Sequence, residues 1–186
     1  MQYLVQMSGV PGSGKSTIAR SIGASINAVV LDHDDTKSAI MSTNIPSDLA
    51  GQASYEVIKS LVRRFLSNGH NVVIDSPCLY QELLNFGVAI AQELNISYRY
   101  IECVIEDLEE LTKRIQNRES MPSQNKFGPL GGGTIEHQGR PPRDSEEVFR
   151  EWAKNMKRPD KYLKVDTTES IQSCCERAIH YIESSA

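Results

Sequence analysis

The chain has 186 residues, enough for one domain of about 100–200 residues that hides roughly 70% of its unfolded surface without staples. Its 39% hydrophobic and 24% charged residues, with a mean hydropathy of -0.38, exclude a disordered or fibrous chain, and no apolar run nears the ~20 residues of a membrane span. A net charge of -4 argues against coating a long nucleic acid by bulk positive charge.

In chain order, residues 2–7 form a short apolar run ending in Ser8-Gly9 and read as a buried strand. Residues 15–26 read as a helix, with Ile18, Ala19, Ile22 and Ile26 at helical spacing. A second strand is expected over 28–31. A helix with acidic residues in its first turn is expected over 34–41. Residues 43–49, with Asn44-Ile45-Pro46, read as a loop, and 53–66 as a helix stopped by Ser67-Asn68-Gly69. A strand over 71–75, a helix over 79–94, a strand over 97–104 and a helix over 107–118 follow. After a Gly/Pro-rich stretch come a helix over 145–156, a short strand over 162–165 and a closing helix over 169–182. Alternating strands and helices predict a three-layer α/β fold with a five-stranded, mainly parallel sheet. One domain over 1–186 is expected, with a lid or insert at about 119–145. Within it, 126–143 is too long for an ordinary connection in a compact domain.

The cysteines Cys78, Cys103, Cys174 and Cys175 form no CxxC pair, and residues 1–7 carry no basic region or cleavage site. Both features lead us to expect a reduced, cytoplasmic protein without a signal peptide and with no membrane partner. Charge is uneven. Residues 1–112 hold 7 Lys+Arg against 13 Asp+Glu, 113–164 hold 12 against 7, and 165–186 hold 1 against 4. The basic third quarter reads either as a solvated helical surface or as a surface that closes over an anion.

Gly9-Val10-Pro11-Gly12-Ser13-Gly14-Lys15-Ser16-Thr17 fits G-x-x-x-x-G-K-[ST], with a strand before it and a helix after it. Glycines let backbone N–H groups approach a polyphosphate, and the helix N-terminus faces the anion. Lys15 adds charge at the β- and γ-phosphates, and the Ser16 hydroxyl suits Mg²⁺. ATP and Mg²⁺ are the expected ligands. Asp75, ending the third strand, suits the metal directly or through water, or caps a turn. Asp32-His33-Asp34-Asp35 concentrates three carboxylates after the second strand. A hydroxyl acceptor needs a carboxylate to orient it and take its proton, with Asp34 the first choice and Asp32 the second. The alternative is that Asp34 or Asp35 caps the next helix and His33 packs. Arg114 and Arg118, at i and i+4, share a helix face and suit a transferring phosphoryl, or Arg114 pairs with Glu110. Arg140 and Arg143 flank Pro141-Pro142 and read as lid cations or as part of an extended linker. The loop holding Thr167 suits contact with adenine, and Thr168 suits a helix cap.

These motifs resemble the small P-loop kinases, nearest to the kinase domain of polynucleotide 5′-kinase and to zeta-toxin-like kinases. The resemblance rests on Gly12-Ser13-Gly14-Lys15-Ser16-Thr17, on His33-Asp34-Asp35-Thr36-Lys37 and on Glu110-Leu111-Thr112-Lys113-Arg114. It covers about residues 1–118 and the last strand and helix. It implies a nucleoside-kinase-like P-loop fold with Asp34 as general base. It further implies that Lys37, where that family carries Arg, contacts a substrate phosphate, and that Arg114 or Arg118 contacts the transferring phosphate. The expected partners are ATP and a hydroxyl-bearing acceptor, such as a short polynucleotide 5′ end, a sugar, an antibiotic or another small metabolite. A narrow tunnel beside Asp34 would suit an oligonucleotide end and a closed cup a metabolite. A GTP switch is disfavoured because no Asn-Lys-x-Asp is present: Asn125-Lys126 runs into Phe127-Gly128. Chain length disfavours a mechanical AAA-type module, and the Asp cluster disfavours a non-catalytic nucleotide-binding regulator.

Overall fold

A computed structural model describes residues 1–124, 126–131, 134–135 and 142–184. Arg140, expected on the lid, lies outside the described residues. Five strands form one sheet: β1 (Tyr3–Ser8), β2 (Ala28–Asp32), β3 (Asn71–Asp75), β4 (Ser97–Val104) and β7 (Leu163–Asp166). Their spatial order is β2-β3-β1-β4-β7, and every neighbouring pair is parallel. Parallel neighbours require crossovers, which α1 (Lys15–Ser25), α3 (Ser47–Ser67) and α4 (Gln81–Glu93) help to supply, while α7 (Ile171–Glu183) follows the last strand and packs back onto the sheet.

The strand period of two sorts the core into two layers. Val5, Met7, Val73 and Ile101 pack with Ile18 and Ile22 of α1 and Ala178 and Ile182 of α7. Leu4, Val72 and Ile74 face the other way, onto Ile58, Val62 and Leu66 of α3 and Ile90 of α4. The expected three-layer α/β arrangement with a five-stranded sheet is therefore present. A third cluster joins α5 (Leu108–Asn117) to α6 (Ser145–Asn155) through Leu111, Ile115, Val148 and Phe149. Among the described residues no helix is long and apolar enough to cross a membrane.

Three local expectations are corrected. Helix α3 begins at Ser47, inside the expected loop, because the Pro46 carbonyl accepts from Ala50 N–H at 2.8 Å and opens the helix directly after the proline. Helix α2 (His33–Met41) is capped by Asp32, not by Asp34 or Asp35: Asp32 Oδ1 accepts from Asp34 N at 2.8 Å and from Asp35 N at 3.4 Å. Helix α7 opens on Ser170 rather than Thr168, whose N–H instead closes a turn onto Asp166 Oδ1.

The stretch expected to be a lid or insert contains two short paired strands, β5 (Thr134–Ile135) and β6 (Arg143–Asp144). Ile135 is buried in the α5–α6 cluster. Leu130 N donates to Thr112 Oγ1 at 3.1 Å, so part of the insert is fastened to α5. Arg143 reaches Glu147 and Glu151 of α6.

Arg99 of β4 closes the far end of the fold. Its buried guanidinium donates to the carbonyls of Tyr181, Ile182 and Ser184, satisfying the last turn of α7. Arg99→Met strands those acceptors and is expected to lower stability by about 2–4 kcal/mol, measured by urea unfolding. A loss near zero would show that water replaces the guanidinium.

Candidate active site

The loop between β1 and α1 owes its shape to close backbone approach. A Cβ on Gly9 would lie 2.3 Å from the Cys103 carbonyl oxygen, and one on Gly12 would lie 2.7 Å from Ile115 Cγ1. Both glycines also have positive φ, at 138° and 83°. Gly14 opens α1 with no side-chain cap, which leaves first-turn N–H groups for an anion. Lys15 Nζ donates to Val10 O at 3.2 Å, across the loop's mouth.

A cleft of about 600 Å³ lies over this loop. Gly12, Gly14, Lys15, Ser16 and Thr17 line it together with Asp32, Asp75, Arg114 and Thr167. Gly9 and Ser13 stand behind it and shape the loop. Thr167 Oγ1 lies 2.9 Å from Ser13 O and 3.1 Å from Val104 O, tying β4, β7 and the loop together. Arg114 donates to Glu110 Oε1 at 2.8 Å, to Thr167 Oγ1 at 3.2 Å and to Thr167 O at 3.0 Å. Its pairing with Glu110 and its place at the P-loop cleft therefore coexist.

Parallel register sets Asp32 beside Asp75 at the carboxyl ends of β2 and β3. Asp75 is buried, and its Oδ2 has no hydrogen-bond partner. Burial pushes its carboxyl above the usual range, although Lys15 and the Ser16 hydroxyl pull it down. Burial and then the charge of Asp75 push Asp32 up to about 6. An orphaned buried carboxylate beside a hydroxyl and a second carboxylate fits Mg²⁺, which is usually held by one or two carboxylates with substrate phosphates and water. Among the described residues no cluster of three or more acidic, His or Cys side chains forms a cage for a metal.

A second, open cleft of about 1690 Å³ adjoins the first, between α2, α3, α6 and the segment after α5. It is neither a narrow tunnel nor a closed cup. Lys37 lines it, half-buried, with its ammonium lowered by burial and raised by Asp34 and Asp48. His33, Asp34, Arg118 and Gln124 line both clefts and mark their junction. Burial acts to raise the Asp34 carboxyl, yet the adjacent His33 ring, the hydrogen bond from Gln124 and the charge of Lys15 prevail and hold it at about 2. Burial lowers the Arg118 guanidinium, and the charge of Asp34 counters it. His33 packs as expected, its ring stacked 4.2 Å from Tyr55, with Tyr80 edge-on to Tyr55 at 5.3 Å. Sequence reasoning missed Tyr55, Tyr80 and Gln124, whose approach to the site depends on tertiary contact and has no local motif.

A family model described as an AAA domain matches residues 4–128. The chain belongs to this AAA domain family. No curated protein matches the chain. Among solved structures, a candidate kinase from Chloroflexus aurantiacus aligns with TM-score 0.71 at 17% identity, covering 100% of this chain and 98% of that one. The APS kinase of Mycobacterium tuberculosis in complex with AMPPNP and APS aligns with TM-score 0.64 at 16% identity, covering 98% of both chains. A gluconokinase from Sinorhizobium meliloti aligns with TM-score 0.59 at 15% identity, covering 96% of this chain and 90% of that one. At these identities the likeness establishes a shared P-loop kinase fold.

The raised carboxyl of Asp32 has a stability consequence. The folded protein binds protons that the unfolded chain has released between about pH 4 and 6, so folding weakens as pH rises through that window. Asp32→Asn keeps an N-cap acceptor and removes the charge. At pH 7, without metal, it is expected to stabilise the protein by on the order of 1–3 kcal/mol and to flatten the pH dependence between 4 and 6, read by thermal unfolding. Lower stability at pH 7 would contradict the raised value.

Proposed function

We propose that this protein is an ATP-dependent phosphotransferase that moves the γ-phosphoryl group to a hydroxyl acceptor. The observation that carries this reading is the junction. Asp34 and Arg118 stand where the P-loop cleft opens into the larger cleft. A nucleotide on one side and an acceptor on the other would meet there.

Gly12, Gly14 and the α1 N-terminus would cradle the polyphosphate, and Lys15 would leave Val10 O for its outer oxygens. Ser16 and Asp75 would hold Mg²⁺, which supplies charge neutralisation at the β- and γ-oxygens. Thr167 borders the nucleotide cleft and is assigned to the base, and Arg114 braces it. Asp32, beside Asp75, would complete the acidic wall that faces the metal's water and the incoming substrate. Asp34 accepts a hydrogen bond from the acceptor hydroxyl. The acceptor oxygen then bonds to the γ-phosphorus, the bond to the β,γ-bridging oxygen breaks, and ADP leaves with that electron pair. An Asp held at about 2 is a weak base at neutral pH. It orients the hydroxyl first and takes its proton late, when bonding to phosphorus has made that proton acidic. Arg118 stabilises the charge spread over the transferring group. Lys37 is placed to hold an anionic group on the acceptor.

Two observations bear on the acceptor. The second cleft exceeds the roughly 300–1,000 Å³ of an ordinary small-molecule pocket, and Tyr80, 55% exposed, lies on its wall. These features favour the 5′-hydroxyl end of a short polynucleotide. Against this, Lys37, Lys59, Arg118 and Lys126 on the walls are balanced by Asp34, Asp48, Glu56 and Glu82, a mixture that suits a small metabolite better than a polyanion.

The test uses ATP labelled at the γ-phosphate with a 5′-hydroxyl oligonucleotide, gluconate and APS as acceptors. Label is expected in one class of acceptor. Asp34→Asn should lower transfer by about 10²–10⁴-fold while AMPPNP affinity stays nearly intact. Arg118→Ala should lower turnover more than nucleotide affinity. Wild-type transfer in Asp34→Asn would overturn the assignment of the base. ATP binding that Lys15→Ala leaves unchanged would overturn the nucleotide site.

A further inference from the structure

The segment after α5 crosses the reaction centre rather than leaving it. Arg118 lies at its start. Six residues on, Gln124 Nε2 donates to Asp34 Oδ2 at 2.8 Å. The amide can present only that edge to the carboxylate, because its Oε1 accepts from Met121 N at 3.3 Å. An acceptor oxygen facing an N–H and a donor facing a carboxylate agree on one orientation.

Ser123 fastens the same turn to α2 by a continuous chain of bonds. Its N–H donates to Ser38 Oγ at 3.3 Å, the Ser38 hydroxyl donates to Ser123 Oγ at 2.8 Å, and the Ser123 hydroxyl donates to the Asp34 carbonyl at 3.0 Å. The main chain and side chain of Asp34 are thus both held by residues 123 and 124. On its other side, Asp34 Oδ1 lies 3.6 Å from His33 Nδ1, and Tyr55 pins that ring by stacking.

We infer that Gln124 is a positioning residue for phosphoryl transfer, holding the Asp34 carboxylate in the orientation that an acceptor hydroxyl must meet, from the same short segment that carries Arg118. This rests on the phosphotransferase reading and adds a residue to it. A carboxylate oxygen has two lone pairs, so Gln124 can keep its bond on Oδ2 while the substrate hydroxyl uses the carboxylate's remaining acceptor capacity. Because Arg118 and Gln124 share one segment, its docking onto α2 sets the phosphoryl side and the acceptor side together. Undocking would free the acidic side chain to rotate and withdraw the cation.

The test needs no knowledge of the acceptor, since water can take its place. Single-turnover hydrolysis of ATP and the affinity for Mg·AMPPNP are measured for the wild type, Asp34→Asn, Gln124→Ala and the isosteric Gln124→Glu. Gln124→Ala is expected to slow hydrolysis by about 10- to 100-fold, the scale of a reacting group displaced by an ångström. Gln124→Glu, with the same shape but no donor and a repelling charge, is expected to be at least as slow. Mg·AMPPNP affinity should stay within about threefold for both, separating turnover from ground-state binding. A near-normal Gln124→Glu with a slow Gln124→Ala would assign the residue to packing and overturn the inference. Normal rates in both, with a slow Asp34→Asn, would also overturn it. A wild type that fails to bind Mg·AMPPNP, or a normal Asp34→Asn, would instead remove the phosphotransferase reading beneath it.

Discussion

The constraint on which the site depends is the parallel register of β2 and β3. It sets Asp32 beside Asp75 at the sheet's carboxyl edge, next to the strand that feeds the P-loop. Two carboxylates in partial burial repel and resist ionisation. The fold holds them there because apolar packing on both sheet faces fixes the register: a slip of one residue would turn Val72 and Val73 to the wrong layers. In the proposed reading, that electrostatic cost would become complementarity toward a cation, with the Ser16 hydroxyl alongside.

Around that edge the proposed reaction divides into three tasks. In that reading the backbone of the P-loop and the α1 N-terminus would address phosphate, and the orphaned oxygen of Asp75 would address metal. Asp34 and Arg118, at the junction of two clefts, would address transfer. Lys15 and Arg114 are engaged with the protein's own oxygens, at Val10 and Thr167, which keeps both cations organised without ligand. The contrast between Asp34, held at about 2, and Asp32, pushed up to about 6, is environmental. Asp34 receives side-chain donors and lies near Lys15, whereas Asp32 is raised first by burial and then by Asp75, against the pull of the N–H group it caps.

Much of this was legible in the sequence, and the failures have physical causes. The P-loop was legible because its geometry admits few residues at fixed spacing. Strands β3 and β4 were legible to the residue because buried parallel strands are continuous apolar runs bounded by breakers. The start of α3 was misread because Pro46 signals both a loop and a helix opening. Asp32 hid among its neighbours: any of the three aspartates suits a cap, and only backbone geometry chooses. The turn at residues 121–124 is the instructive case. Gln124 meets Asp34 across 90 residues of chain, and no local pattern announces such a contact. Composition marked the insert as a lid but carried no sign of its anchors, Ile135 and Leu130, which fasten described parts of it to α5 and α6 through tertiary contact.

The central claim is that the strained pair Asp32 and Asp75 is the seat of the metal–nucleotide complex. Calorimetric titration of Mg·AMPPNP at pH 6, in buffers of differing ionisation enthalpy, counts the protons released on binding. Comparison of the wild type with Asp75→Asn removes any contribution from the nucleotide itself. The account expects the wild type to release more protons than the variant, because the cation ionises carboxyls that burial had held partly neutral. Equal proton release with equal affinity in the two proteins would contradict it.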